Sequence, residues 1–119
     1  MLKVIGFLKR KPGMTVEDFR DYYESHHRVI GEKYLRDHAV KYMRRYLTPF
    51  ADPLSGNQAE QPCDVVMEIW YRDRAAYDAA MANFVRPDVA AEIAEDEEKL
   101  FDRKYNRFFF VDECESVLE

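Results

Sequence analysis

The chain has 119 residues, 47% of them hydrophobic and 34% charged, which suits one domain over residues 1–119 with a modest core and leaves no room for a second. Its 18 Lys and Arg against 23 Asp and Glu give a formal net charge of -5, which argues against a phosphate-neutralising surface and hence against a nucleic-acid partner. The total hides an asymmetry: residues 1–50 carry 11 bases and 6 acids, whereas residues 51–119 carry 7 bases and 17 acids, so the chain is two-signed and could attract a copy of itself. Two cysteines, Cys63 and Cys114, fall short of a disulfide framework, and no Cys/His ladder of zinc spacing occurs. The apolar run Leu2–Leu8 is too short for a leader and has its charges on the wrong side, and nothing approaches the ~20 apolar residues that cross a bilayer. A soluble, cytoplasmic protein with no membrane partner is expected.

Leu2 to Lys9 alternates Leu, Val, Gly and Leu on one face with Lys, Ile, Phe and Lys on the other, and Pro12-Gly13 stops it, the pattern of a first strand. Thr15 then caps a helix with Glu17 and Asp18 in its first turn. Val16, Phe19, Tyr23, Ile30 and Tyr34 form an apolar stripe at helical spacing that runs to about Asp37. Ala39 to Leu47 reads as a second strand interrupted by Arg44 and Arg45. Residues 48–62 hold three prolines and Gly56-Asn57, a loop long enough to suggest function or disorder. Asp64 to Tyr71 is a third strand, with Val65, Met67, Ile69 and Tyr71 on one face and Val66, Glu68 and Trp70 on the other.

Asp73 caps a helix whose Tyr77, Ala80, Met81 and Phe84 share a face. Pro87 opens another, with Val89, Ile93, Leu100 and Phe101 as its buried side. Tyr105 to Val111 is a Phe-rich fourth strand. The order is β-α-β-β-α-β plus one helix, which specifies an α+β, ferredoxin-like sandwich. Helices on one side of a four-stranded sheet leave the other face, with Trp70, open. A second copy related by a two-fold axis would cover it and enclose a space, making a homodimer; the alternative is a monomer with a wet face.

The candidates for chemistry start with His26 and His27. At about 100° per residue both lie about 50° from the centre of the apolar stripe, on opposite shoulders, so periodicity does not choose between them. Either could act as an acid or base near neutrality, or be a boundary histidine bonded to a neighbour. Adjacent histidines diverge by ~100° and do not converge on an ion. Glu24 and His27 make one Glu-x-x-His where a di-metal site needs two, so no metal is expected, and no positive feature points to haem. Glu68, in mid-strand, is a candidate desolvated carboxylate with a raised pKa, or one half of an ion pair with Arg44, Arg45 or Arg107 that fixes register. Tyr22, Tyr23, Tyr42, Tyr46 and Tyr105 could donate a phenolic proton, line an aromatic wall, or simply pack. No nucleophile elbow or phosphate-cradling glycine loop is present.

The opening Leu2 to Thr15, then Glu17-Asp18-Phe19-Arg20-Asp21-Tyr22-Tyr23 followed by His27, together with Arg44-Arg45-Tyr46, Asp64 to Tyr71 and the final Phe109-Phe110-Val111-Asp112-Glu113, resembles the EthD family of dimeric α+β barrel proteins. Aligned on that family's helix pattern, Tyr23 stands where Trp is common, His27 takes the family histidine position, and Val29 stands where Pro is usual; the resemblance thus selects His27 over His26. It implies a ferredoxin-like homodimer with a pocket between sheet and helices, holding a small apolar or aromatic, oxygenated metabolite.

The expected activity is cofactor-independent proton transfer of the lyase, isomerase or cyclase type, with His27 as base or acid and Tyr46, Tyr23 or Glu68 orienting it or polarising an oxygen. His26, Tyr42, Trp70, Arg44 and Phe109 complete the candidate ligand-binding set. The alternatives are a non-catalytic binding or accessory protein of an oxidative catabolic pathway and an oxidoreductase or monooxygenase. Six acids without a base between residues 88 and 98 read as a solvated outer helix face. They account for the negative total, so an oxygenated or anionic ligand stays permitted.

Overall fold

The computed structural model describes residues 1–59 and 61–119. Strand β1 (Leu2–Leu8) leads through the Pro12-Gly13 turn, where Gly13 takes a φ of 84° that a side chain would resist, into helix α1 (Val16–Tyr22). The Thr15 hydroxyl accepts from the Asp18 amide at 3.0 Å, satisfying one of the helix's free first-turn donors. The helix is not regular. Tyr23–His27 form a single π-helical turn, closed by the Arg28 amide donating to the Tyr23 carbonyl, before α2 (Arg28–Leu35) resumes.

The widened turn changes the phase of the apolar stripe. Phe19 and Tyr23 are buried, but Val16 is exposed and leaves the stripe, and Tyr34 turns its hydroxyl to Glu92. Strands β2 (Ala39–Tyr46) and β3 (Val65–Tyr71) follow, then α3 (Arg74–Phe84), α4 (Pro87–Glu97), a short 3₁₀ turn (Arg103–Tyr105) and β4 (Arg107–Phe110). Asp73 caps α3 through the Ala76 amide at 2.8 Å, and Pro87 opens α4. Leu100 and Phe101 are buried as expected, although they lie in the turn after α4 and not on the helix itself.

The strands form one antiparallel sheet in the order β2-β3-β1-β4, with the helices packed on one side. This is the α+β, ferredoxin-like arrangement. Register aligns Val4 with Ile69 and Phe110, and Tyr42 with Ile69, so the apolar alternation of each strand falls on the helix side. The opposite face carries Ile5, Phe7, Met43, Arg45, Glu68, Trp70 and Phe109.

Helix and sheet are further tied by charge. Arg44 reaches from β2 to clasp both Glu24 oxygens, at 3.0 and 2.7 Å, while the Tyr46 hydroxyl donates to Glu24 at 2.5 Å. The Arg44 hydrogen bonds, aided by Tyr46, hold the Glu24 carboxyl below its ordinary value against the opposing effect of burial. A folded-state pKa below the unfolded one contributes stability that is present above the ordinary carboxylate range and lost as pH falls through it. Glu24→Gln should therefore lower the melting temperature at neutral pH, with the gap to wild type closing in acid; an unchanged gap across the pH series would remove the clamp. In urea denaturation, Thr15→Ala should cost about 1 kcal/mol and Phe19→Ala about 3–5 kcal/mol.

Candidate functional site

A cavity of about 570 Å³ lies between the sheet and the helices, within the range of about 300–1,000 Å³ that holds small organic ligands. Its floor is the helix-facing side of the strands, including Val4, Met67 and Ile69. Ile30 and Gly31 of α2, Met81 of α3, and Ile93 and Ala94 of α4 line its helical side. Gly31 lets the helix approach Tyr42 closely: a Cβ there would stand 3.0 Å from the Tyr42 ring and hydroxyl, so a side chain would have to displace the tyrosine.

His27, the last residue of the π turn, stands at this wall. Its ring meets Tyr23 and Phe101 edge-on, with centroids 5.1 and 5.3 Å away, and its Nδ1 lies 2.8 Å from Oδ2 of Asp96. Asp96 is buried at 6% exposure, and its other oxygen accepts from the Tyr22 hydroxyl at 2.5 Å. An ionised carboxylate only accepts, so against it Nδ1 is the donor, and in the neutral imidazole Nε2 is the nitrogen that holds the lone pair. No described residue hydrogen-bonds Nε2. Burial first, and then Asp96, pushes Tyr22 up to about 12, keeping the phenol a donor in this chain of three groups.

A second polar pair lines the same cavity. The Tyr23 and Tyr42 hydroxyls are 2.9 Å apart. Burial raises Tyr23 well above the ordinary phenol value and Tyr42 to about 12, so both stay neutral; one donates to the other, and the pair has one phenolic proton left to offer a ligand oxygen. Glu97 also lines the cavity; burial moves its carboxyl up from the ordinary value, opposed by His27 and Arg103.

The structure thus brings together His27, Tyr23 and Tyr42 from the expected set. Tyr46 and Arg44 sit on the helix side of β2 but are turned to Glu24 and do not line the cavity. Glu24 accordingly faces Arg44 and not an ion shared with His27. His26 points away, stacked on Tyr22 with ring centroids 4.6 Å apart and bonded to the Ser25 hydroxyl at 2.8 Å.

Glu68, Trp70 and Phe109 lie on the opposite face of the sheet. Glu68 is buried there, accepting from the Trp70 indole at 2.7 Å and from Arg45. Those partners, Arg45 first, lower its carboxyl below the ordinary value, overturning the raised pKa expected from desolvation and leaving the cross-strand ion pair. Among the described residues no group of three or more His, Cys, Asp or Glu is placed to hold a metal ion, and no helix is long and apolar enough to cross a membrane.

Asp96 and Glu97 were missed because the acid run of α4 reads as a solvated face. The structure corrects this: Asp88, Glu95 and Glu98 are exposed, while Asp96 is buried and Glu97 lines the cavity. The available signal was position. Val89 and Ile93 mark the inward side of α4, and Asp96 and Glu97 fall three and four residues beyond Ile93, on that same side.

The model of the EthD domain matches residues 11–104. No curated protein sequence matches the chain. Among solved structures, the fold resembles an EthD family protein from Bacillus halodurans C-125 (TM-score 0.62, 15% identity, 96% of this chain and 100% of that one). It also resembles HapK from Hahella chejuensis (TM-score 0.62, 16% identity, 100% and 98%). A third is SnoaB, a cofactor-independent oxygenase from Streptomyces nogalater (TM-score 0.56, 10% identity, 99% and 97%). At these identities the structures establish the fold alone, whereas the domain match spans most of the chain: the protein belongs to the EthD family.

Proposed function

We propose that the protein is a cofactor-independent enzyme that moves a proton on a small apolar or aromatic, oxygenated metabolite, in a reaction of lyase, isomerase or cyclase type. One observation carries this reading: a buried carboxylate, Asp96, holds Nδ1 of His27 at the wall of an apolar cavity. In that tautomer Nε2 takes the substrate proton. Asp96 stabilises the imidazolium that forms, and Tyr22 stabilises Asp96. The neutral Tyr23–Tyr42 pair offers its one free phenolic proton to the substrate oxygen, and the apolar lining excludes water from the basic nitrogen.

The test uses 1-tetralone, an aromatic ketone small enough for the cavity, and follows deuterium entry at its α-carbon in heavy water by NMR. Wild type should accelerate exchange above buffer. His27→Ala should lose about 10²–10⁴-fold of that acceleration, and Asp96→Asn should lose most of it by releasing the tautomer. Ala94→Trp, which puts an indole into the cavity, should abolish 1-tetralone binding. Saturable binding with no exchange would establish a ligand-binding protein without turnover, and full activity in His27→Ala would remove the histidine from the mechanism.

The partner proposed for the open sheet face is a second copy of the chain. Support comes from the contiguous side chains there: Phe7 packs on Phe109 with centroids 5.2 Å apart, and Lys3 and Lys41 hold their ammonium groups 3.9 and 4.1 Å from the Trp70 ring. The opposite signs of the two halves of the chain suit self-association, and the free thiols of Cys63 and Cys114 suit a reducing compartment such as the cytoplasm. Native mass spectrometry should find a dimer, and Phe7→Glu with Phe109→Glu should give a folded monomer. A monomeric wild type would end this part of the reading.

A further inference from the structure

The cavity holds a second ionisable group, and its setting narrows both the reaction and the ligand. Asp96 and Glu97 are consecutive at the end of α4, about 100° apart around the helix. Asp96 turns to Tyr22 and His27, whereas Glu97 lines the cavity. No described residue hydrogen-bonds the Glu97 carboxyl, and no lysine or arginine lines the cavity. We propose that Glu97 is the general acid that works with His27, and that the ligand is an uncharged aromatic or alicyclic ketone with a C–H beside its carbonyl.

This rests on the reading of His27 as the base. Nε2 takes the α-proton, the C–H pair becomes the new C=C bond, and the carbonyl π pair takes the proton of Glu97. The products are the enol, the His27 imidazolium and the Glu97 carboxylate; returning both protons resets the site, with no oxidant or cofactor consumed. The charged and titratable groups that face Glu97 are His27 on the first helix, Arg103 beyond α4 and Asp96 on its own helix. Burial outweighs them and favours the neutral, proton-bearing form that an acid needs. A ligand carboxylate or phosphate would meet no lysine or arginine in the lining, only His27 and the more distant charge of Arg103, and a carboxyl that its presence would keep protonated. The lining therefore disfavours the anionic ligand that composition leaves open.

The experiment is the α-exchange of 1-tetralone measured as pH is raised through neutrality, in wild type, Glu97→Gln, Glu97→Asp and His27→Ala. Binding of 1-tetralone is compared in parallel with that of a tetralone bearing one ring carboxylate. Glu97→Gln keeps the shape but has no proton to give, so exchange should fall about 10²-fold. The fall in rate with rising pH expected of wild type as Glu97 loses its proton should be absent from Glu97→Gln. Glu97→Asp should restore part of the rate and the alkaline limb, which a purely structural role would not do. The carboxylated tetralone should bind wild type at least about tenfold more weakly.

A wild-type rate and pH profile in Glu97→Gln, with His27→Ala inactive, would overturn the acid assignment and leave the base standing. Full exchange in His27→Ala would overturn both. Equal binding of the two tetralones would overturn the ligand class.

Discussion

A carboxylate taken out of water has to be answered by donors, and Asp96 sets the terms for the whole helical side of the molecule. Leaving such a group without a partner costs about 3–5 kcal/mol, so α4 is stable in its place only where the first helix offers the Tyr22 hydroxyl and the His27 imidazole together. One interaction therefore fixes the distance between two helices, the tautomer of a histidine and the depth of the cavity below. Its outermost member, Tyr22, is itself covered by the stacked ring of His26, which gives the unpicked histidine of the adjacent pair a supporting place in the same assembly.

The sheet separates two chemistries that the sequence interleaves residue by residue. On the helix side the strands offer Val, Leu, Met and Ile, with tyrosines whose burial keeps them neutral. On the other side Glu68 is bracketed by Trp70 and Arg45, and cations from two neighbouring strands flank the indole. A carboxylate so partnered is held ionised and is poor material for proton transfer. Glu97, with no such partners, is driven toward its neutral form. Two buried glutamates thus diverge because one has donors and the other has only burial.

Much of this was legible before any coordinates. Period-2 alternation in Leu2–Leu8 and Val65–Tyr71 gives the strands and their faces, and Thr15, Asp73 and Pro87 mark helix starts because each solves a problem of unsatisfied or absent amide donors. The site was half legible. Tyr23, His27 and Tyr42 could be named, but Glu68, Trp70 and Phe109 were assigned to the site although strand alternation already put them on the face away from the helices. Asp96 was hidden by its neighbours: within a run of acids, the one that turns inward has no distinguishing side chain, only a phase. Phase was also what failed in the first helix, because a wide turn leaves no compositional mark and periodicity at 3.6 residues assumes that none is present.

That wide turn has an implication for how such a site arises and disappears. A π turn can be read as an α-helix with one residue inserted, so the phase between the residues before it and those after it is a matter of a single codon. Deleting one residue between Tyr23 and His27 would restore an ordinary helix and swing everything on one side of the deletion by about 100° relative to the other, undoing the assembly around Asp96 without altering any of its members. A substitution tally would register such a change as nearly silent. For chains with this helix, length within the turn is as informative about chemistry as the identity of the histidine.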